Sequence, residues 1–146
     1  MTLLIDADGC PVVDIAIKVA KEHNVKCILI CDTSHHLEKE GAKTITVSKG
    51  QDSVDFVLVN MVKKNDIVIT QDYGLAAMCL AKRAIVLNQD GLIYSQNNID
   101  ALLLSRHKSK KLRMSGVRLK GSKKRKLTQD LKFENTLREI LSNVKI

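Results

Sequence analysis

Five aspartates in this chain stand where carboxylates do chemistry. Asp6 and Asp8, in "LLIDADGCPV", close an apolar run and precede Gly9 and the single proline, Pro11. Asp52 and Asp55, in "GQDSVDFVL", open a helical pattern at i and i+3, so they project in neighbouring directions from one helix face. Asp72, in "VITQDYGLA", follows another apolar run. Acids at the mouth of a buried strand serve as a nucleophile with its acid/base, as metal ligands, or as caps of the next helix. Aspartate is among the best N-cap residues, and Asp8, Asp52 and Asp72 all stand at the starts of helical patterns. Three acid groups on one edge of one sheet favour a site over capping alone. An oxygen-only set suits Mg²⁺ or Mn²⁺, which prefer carboxylates and water to imidazole or thiolate. Such an ion polarises a phosphoryl oxygen and activates water, and it offsets the repulsion by which clustered carboxylates raise each other's pKa values.

The elements that must position these acids follow from apolar periodicity. Runs at Thr2–Ile5, Val25–Cys31, Lys43–Val47, Asp66–Thr70 and Ala84–Leu87 have strand length. Between them, Val12, Ile15, Ala16, Val19 and Ala20 form a helical stripe whose first turn holds Pro11, a residue that lacks the N–H that position leaves unpaired. Val54, Val57, Leu58, Met61 and Val62 form a second stripe, and Leu75–Lys82 a short third helix. Strands apolar on both faces, alternating with helices, predict an α/β fold: a three-layer α/β/α sandwich around a mainly parallel sheet. Ligands of such sheets bind at the carboxyl ends of the strands, near the reversal of strand order. Asp6, Asp8, Asp52, Asp55 and Asp72 are expected there, with Asp6 and Asp72 the main metal ligands and Asp8 and Asp55 the others.

After Asn88 the pattern changes. A helix is expected from Asn98, then the connector "MSGVRLKGSKKRKL", then an amphipathic helix over Asp130–Val144 with Leu131, Leu137, Ile140, Leu141 and Val144 on its stripe. That helix docks back onto the body or onto a second subunit, the latter giving a homo-oligomer. The expected division is 1–105 for the α/β part and 106–146 for the basic connector and last helix, within one domain.

Composition narrows the function. The chain has 146 residues, 45% apolar but only 3% aromatic, which argues against modules that stack bases on ring faces. No apolar run reaches membrane-spanning length, and the start lacks a signal-peptide pattern, so a cytoplasmic protein without a membrane partner is expected. Cys10, Cys27, Cys31 and Cys79 form no CxxC pair and read as reduced thiols, two or three of them buried; His35-His36 have no nearby cysteines to make a structural zinc site. The net charge of +8 is concentrated: eleven Lys/Arg and no acid lie between Arg106 and Lys126, and the other 13 basic residues face 16 acids, a balance of −3. Arg106, Lys110, Lys111, Arg113, Arg118, Lys120, Lys123, Lys124, Arg125 and Lys126 are therefore expected to hold RNA or another polyanion, the alternative being a strip lying on its own acidic body.

Two resemblances bear on the reaction. "DADG" is similar to the opening signature of haloacid dehalogenase-like phosphotransferases, which implies Asp6 as nucleophile, Asp8 as acid/base and Thr70 as the second-motif hydroxyl. That family places a flap directly after the motif, where this sequence begins a helix. "IDADGCPV", "GQDSVDFVLV", "DIVITQDYGLA" and "YSQNNIDALLLSR" together resemble the YaiI/YqxD family of small bacterial proteins, related in fold to PIN-like nuclease domains. This resemblance covers Thr2 to Arg106 and implies a PIN-like sandwich with a divalent-metal site at Asp6 (with Asp8), Asp52 or Asp55, and Asp72. It implies a metal-dependent ribonuclease or its descendant; the phosphatase and a non-catalytic RNA-binding module are the alternatives. The family usually has alanine where Gly9 stands and proline and arginine at Gln89 and Asp90, so Asp90 is either an extra ligand or a turn residue.

Overall fold

The computed structural model describes residues 1–32, 37–48, 53–116 and 124–144. Asp52, His35, His36, Arg118, Lys120 and Lys123 lie outside the described residues. Each apolar run is a strand: β1 (Thr2–Asp6), β2 (Lys26–Asp32), β3 (Lys43–Val47), β4 (Ile67–Ile69) and β5 (Ile85–Leu87). They form one all-parallel sheet of order β3-β2-β1-β4-β5. The helices are α1 (Val13–Glu22), α2 (Val54–Met61), α3 (Tyr73–Ala81), α4 (Gln96–Met114) and α5 (Leu127–Val144).

The period of two along each strand splits the core into two layers. Leu3, Ile5, Leu29, Ile67, Ile69 and Leu87 face α1 and α5. Leu4, Ile28, Ile30, Val68 and Val86 face α2, α3 and α4. The expected three-layer sandwich is therefore present, with helices burying both faces of the sheet.

Several helix boundaries differ from the periodic reading. α1 starts at Val13 with Val12 as an N-cap that makes no side-chain bond, so Pro11 lies before the helix and Asp8 does not cap it. The chain first turns back on itself, Cys10 N donating to Ala7 O over 3.2 Å, and the helix begins only after this turn and Pro11. Ser53 caps α2 by accepting from Phe56 N. α4 begins at Gln96, where Ser95 and Asn98 form a reciprocal capping box, and beyond Leu103 it is exposed almost throughout.

α5 docks on α1 of the same chain. Its buried residues are Phe133, Leu137, Ile140 and Leu141, whereas Leu131, expected on the stripe, is 51% exposed. Arg138 secures the contact through Glu22 on α1 and Glu134 on its own helix. Cys27, Cys31 and Cys79 are buried thiols and Cys10 is partly buried, as expected. No helix among the described residues is long and apolar enough to cross a membrane.

Candidate active site

Asp6 shares the strand parity of Leu4, which turns its side chain toward the α2–α3–α4 layer. Thr70, one residue past β4, shares the parity of Val68 and turns the same way. β1 and β4 are neighbours at the point where strand order reverses. There the Thr70 hydroxyl donates to Asp6 Oδ2 (2.8 Å) and accepts from Asp72 N (3.0 Å). Asp72 caps α3, its Oδ1 accepting from Leu75 N over 3.1 Å. The buried Tyr94 hydroxyl donates to Thr70 O (3.2 Å), fixing the turn from behind.

Asp6, Asp8 and Asp72 line one open cleft of about 450 Å³ together with Gly9, Gln71 and Arg106. Burial pushes the Asp6 carboxyl up to about 6; the Thr70 hydrogen bond opposes this, and the carboxylates of Asp55, Asp72 and Asp8 raise it further. Asp55, on the first turn of α2, is itself raised by burial and by Asp72. Its charge is thus felt at the cleft although its side chain is not part of the lining. Asp8 has a structural duty as well, since its Oδ2 accepts from Asp32 N at 3.1 Å and ties the loop after β1 to the end of β2. Among the described residues, no group of three or more His, Cys, Asp or Glu is arranged to hold a metal ion. Asp66 lies at the opposite end of the sheet, where it accepts from Thr2 N and Lys63 N.

The basic strip divides into parts. Arg106 reaches the acid cleft, its guanidinium 3.8 Å from Asp72 Oδ1. Lys108, Lys110, Lys111 and Arg113 continue along the exposed distal part of α4. Arg125 is engaged within the fold: it donates to Asp90 Oδ1 (2.7 Å), Asp130 Oδ1 (2.6 Å) and Gln89 O (2.6 Å). Asp90 is therefore a clamp residue that binds the loop after β5 to the start of α5, and Arg125 is an internal cation. Lys124 and Lys126 on either side of it are exposed.

A family model described as "Uncharacterized BCR, YaiI/YqxD family" matches residues 4–143. The chain belongs to the YaiI/YqxD family. It is similar to a UPF0178 protein of Ruminiclostridium cellulolyticum, 53% identical over 137 residues that cover 94% of this chain and 90% of that one. UPF0178 proteins of Natranaerobius thermophilus (46% over 145 residues, 99% of each chain) and Exiguobacterium sibiricum (45% over 142 residues, 97% of each) are similar too. No solved structure matches the chain.

In this YaiI/YqxD protein, sequence reasoning reached the acids and missed the group that supports them from behind. Tyr94 packs edge-on against Tyr73, with ring centroids 6.2 Å apart, and delivers its hydroxyl to a backbone carbonyl 24 residues earlier. The only signal in sequence was a tyrosine directly after an apolar pair, Leu92-Ile93.

Proposed function

We propose that this protein is a divalent-metal-dependent ribonuclease of PIN-like type, hydrolysing a phosphodiester at the carboxyl edge of β1 and β4. The observation that carries the reading is the meeting of Asp6 and Asp72 through one threonine at the reversal of strand order, with Asp55 and Asp8 close enough to raise Asp6.

The donor chemistry fits Mg²⁺ or Mn²⁺. Mg²⁺ keeps several waters and takes one or two carboxylates plus substrate phosphate rather than a full protein cage. Asp6 and Asp72 meet that demand, with Asp8 and Asp55 acting through water. When bound, the ion supplies Lewis-acid polarisation of the phosphoryl oxygen and a water of lowered pKa. The rest of the work belongs to the chain. Thr70 occupies one oxygen of Asp6 and leaves the other to the cleft. Arg106 offers a phosphate counter-charge beside Asp72. The cations of α4 hold the backbone of the strand without reading its bases.

The phosphatase alternative requires a flap after Asp6, whereas residues 7–12 alone join β1 to α1. The deciding experiment is cleavage of labelled single-stranded RNA with Mg²⁺ or Mn²⁺, with EDTA, and with Asp6→Asn and Asp72→Asn. Cleavage confined to the metal-loaded parent chain supports the reading. Cleavage that persists in EDTA or in both variants overturns it, and RNA binding without cleavage would leave the non-catalytic module.

A further inference from the structure

We infer that a second cleft, beside the acid one and lined by Gln71, Lys124, Lys126 and Gln129, binds a phosphate group of the nucleic-acid strand. The inference rests on RNA being the ligand, as proposed above, but not on its hydrolysis.

Gln71 lines both clefts, so they adjoin at the end of β4. The second has a volume of about 590 Å³ and the opposite charge: Lys124, Arg125 and Lys126 against the single carboxylate of Asp90. Arg125 is shared between Asp90 and Asp130, which leaves the two lysines as the cations available to a ligand. Neither ammonium has an ion-pair partner among the described residues.

The backbone that carries them is held in place. The residue between them is pinned by the three-point clamp, and Lys126 N donates to Gln129 Oε1 over 2.7 Å. Backbone held in this way lowers the ordering cost of binding. The amides are oriented as well: Gln71 Nε2 donates to Gly9 O (3.1 Å) and Gln129 Nε2 to Asp90 Oδ1 (3.2 Å). Each NH₂ keeps a second hydrogen for a phosphate oxygen. A strand whose scissile phosphate lies in the acid cleft would pass Gln71 and set a neighbouring phosphate among these donors.

The test uses the full chain, a short single-stranded oligoribonucleotide and EDTA, so that hydrolysis does not intervene. Fluorescence anisotropy gives log affinity against log salt. Each neutralised single-strand phosphate contributes a slope of about −0.7, so Lys124→Gln with Lys126→Gln, which together empty one phosphate site, should flatten it by about 0.7 at unchanged melting temperature. Lys18→Gln with Lys21→Gln, on the exposed side of α1 and outside both clefts, removes the same charge and should leave the slope alone. Equal slopes in the two double variants overturn the inference. Oligonucleotides with a 5′-phosphate and with a 5′-hydroxyl separate the sources: a 5′-phosphate preference lost with the lysines assigns the cleft to a chain end, and equal binding assigns it to internal phosphates. A flattened slope without metal-dependent cleavage would sink the hydrolytic reading alone; cleavage with an unchanged slope would sink this cleft alone.

Discussion

Thr70 Oγ1 stands 2.8 Å from Asp6 Oδ2, so one hydroxyl joins the ends of two neighbouring strands through residues 64 apart in sequence. The same oxygen accepts from Asp72 N at 3.0 Å. Only a group that both donates and accepts fills this position.

Thr70→Val keeps the shape and removes both bonds. It should cost about 1–3 kcal/mol, because a partly buried N–H and a carboxylate oxygen lose their partner. It should also push the Asp6 carboxyl above its present value of about 6, since the lost bond opposed burial. Urea denaturation and an NMR titration of Asp6 read the two effects, and Thr70→Ser should restore both.

The raised Asp6 carboxyl makes stability fall with pH. Between the ordinary value of 3.8 and about 6, the folded chain retains a proton that the unfolded chain has lost. This group's penalty is absent below that window and complete above it. Asp6→Asn, whose carbonyl still accepts from Thr70, should therefore be more stable than the parent at pH 8 by roughly 1–3 kcal/mol and show no advantage at pH 4. Thermal melts at the two pH values measure this. Metal binding at Asp6 needs the ionised form, so affinity for Mg²⁺ or Mn²⁺ should rise as pH passes through about 6.

Asp72 is both an N-cap and a proposed ligand, and two substitutions separate the roles. Asparagine caps about as well as aspartate, so Asp72→Asn should keep stability within about 1 kcal/mol and abolish metal-dependent cleavage. Asp72→Ala should cost roughly 0.5–2 kcal/mol in addition to losing cleavage. Unchanged cleavage in Asp72→Asn would remove this residue from the site.

Arg125 should behave as a structural residue and its neighbour as a surface one. Arg125→Gln leaves Asp90 and Asp130 without their shared cation and should cost about 1–3 kcal/mol in chemical denaturation. Lys124→Gln should stay within about 0.5 kcal/mol. The reverse order would return Arg125 to the binding strip.

The fold was legible where local pattern and tertiary demand coincide. Central strands of a doubly covered parallel sheet are unbroken apolar runs, and β1, β2 and β4 stood out as such, whereas the edge strand β3, Lys43–Val47, alternates polar and apolar residues. The site was legible to the extent that strand ends are: Asp6 and Asp72 follow two of those runs. Phase was harder to read. Leu131 and Phe133 both begin plausible stripes, but they lie about 200° apart around a helix, and only contact with α1 selects Phe133. Long-range polar partners left no local trace. Nothing near Asp8 announces Asp32, and nothing in a run of eleven cations marks Arg125 as the one that meets Asp90 and Asp130.

The strand order also has a consequence in time. β1 is made first yet ends in the middle of the sheet, with β2 on one side and β4 on the other. A growing chain can lay α1 and β2 against β1 early, while the other edge of β1 stays bare until residues 67–69 arrive. Pairings across so long a stretch form slowly, and an unpaired edge invites the wrong partner. Until β4 docks, Asp6 has neither its hydroxyl nor its fellow carboxylate from Asp72. A nascent chain that stalls before that point therefore has no assembled acid cleft, and it leaves one edge of β1 open to mispairing.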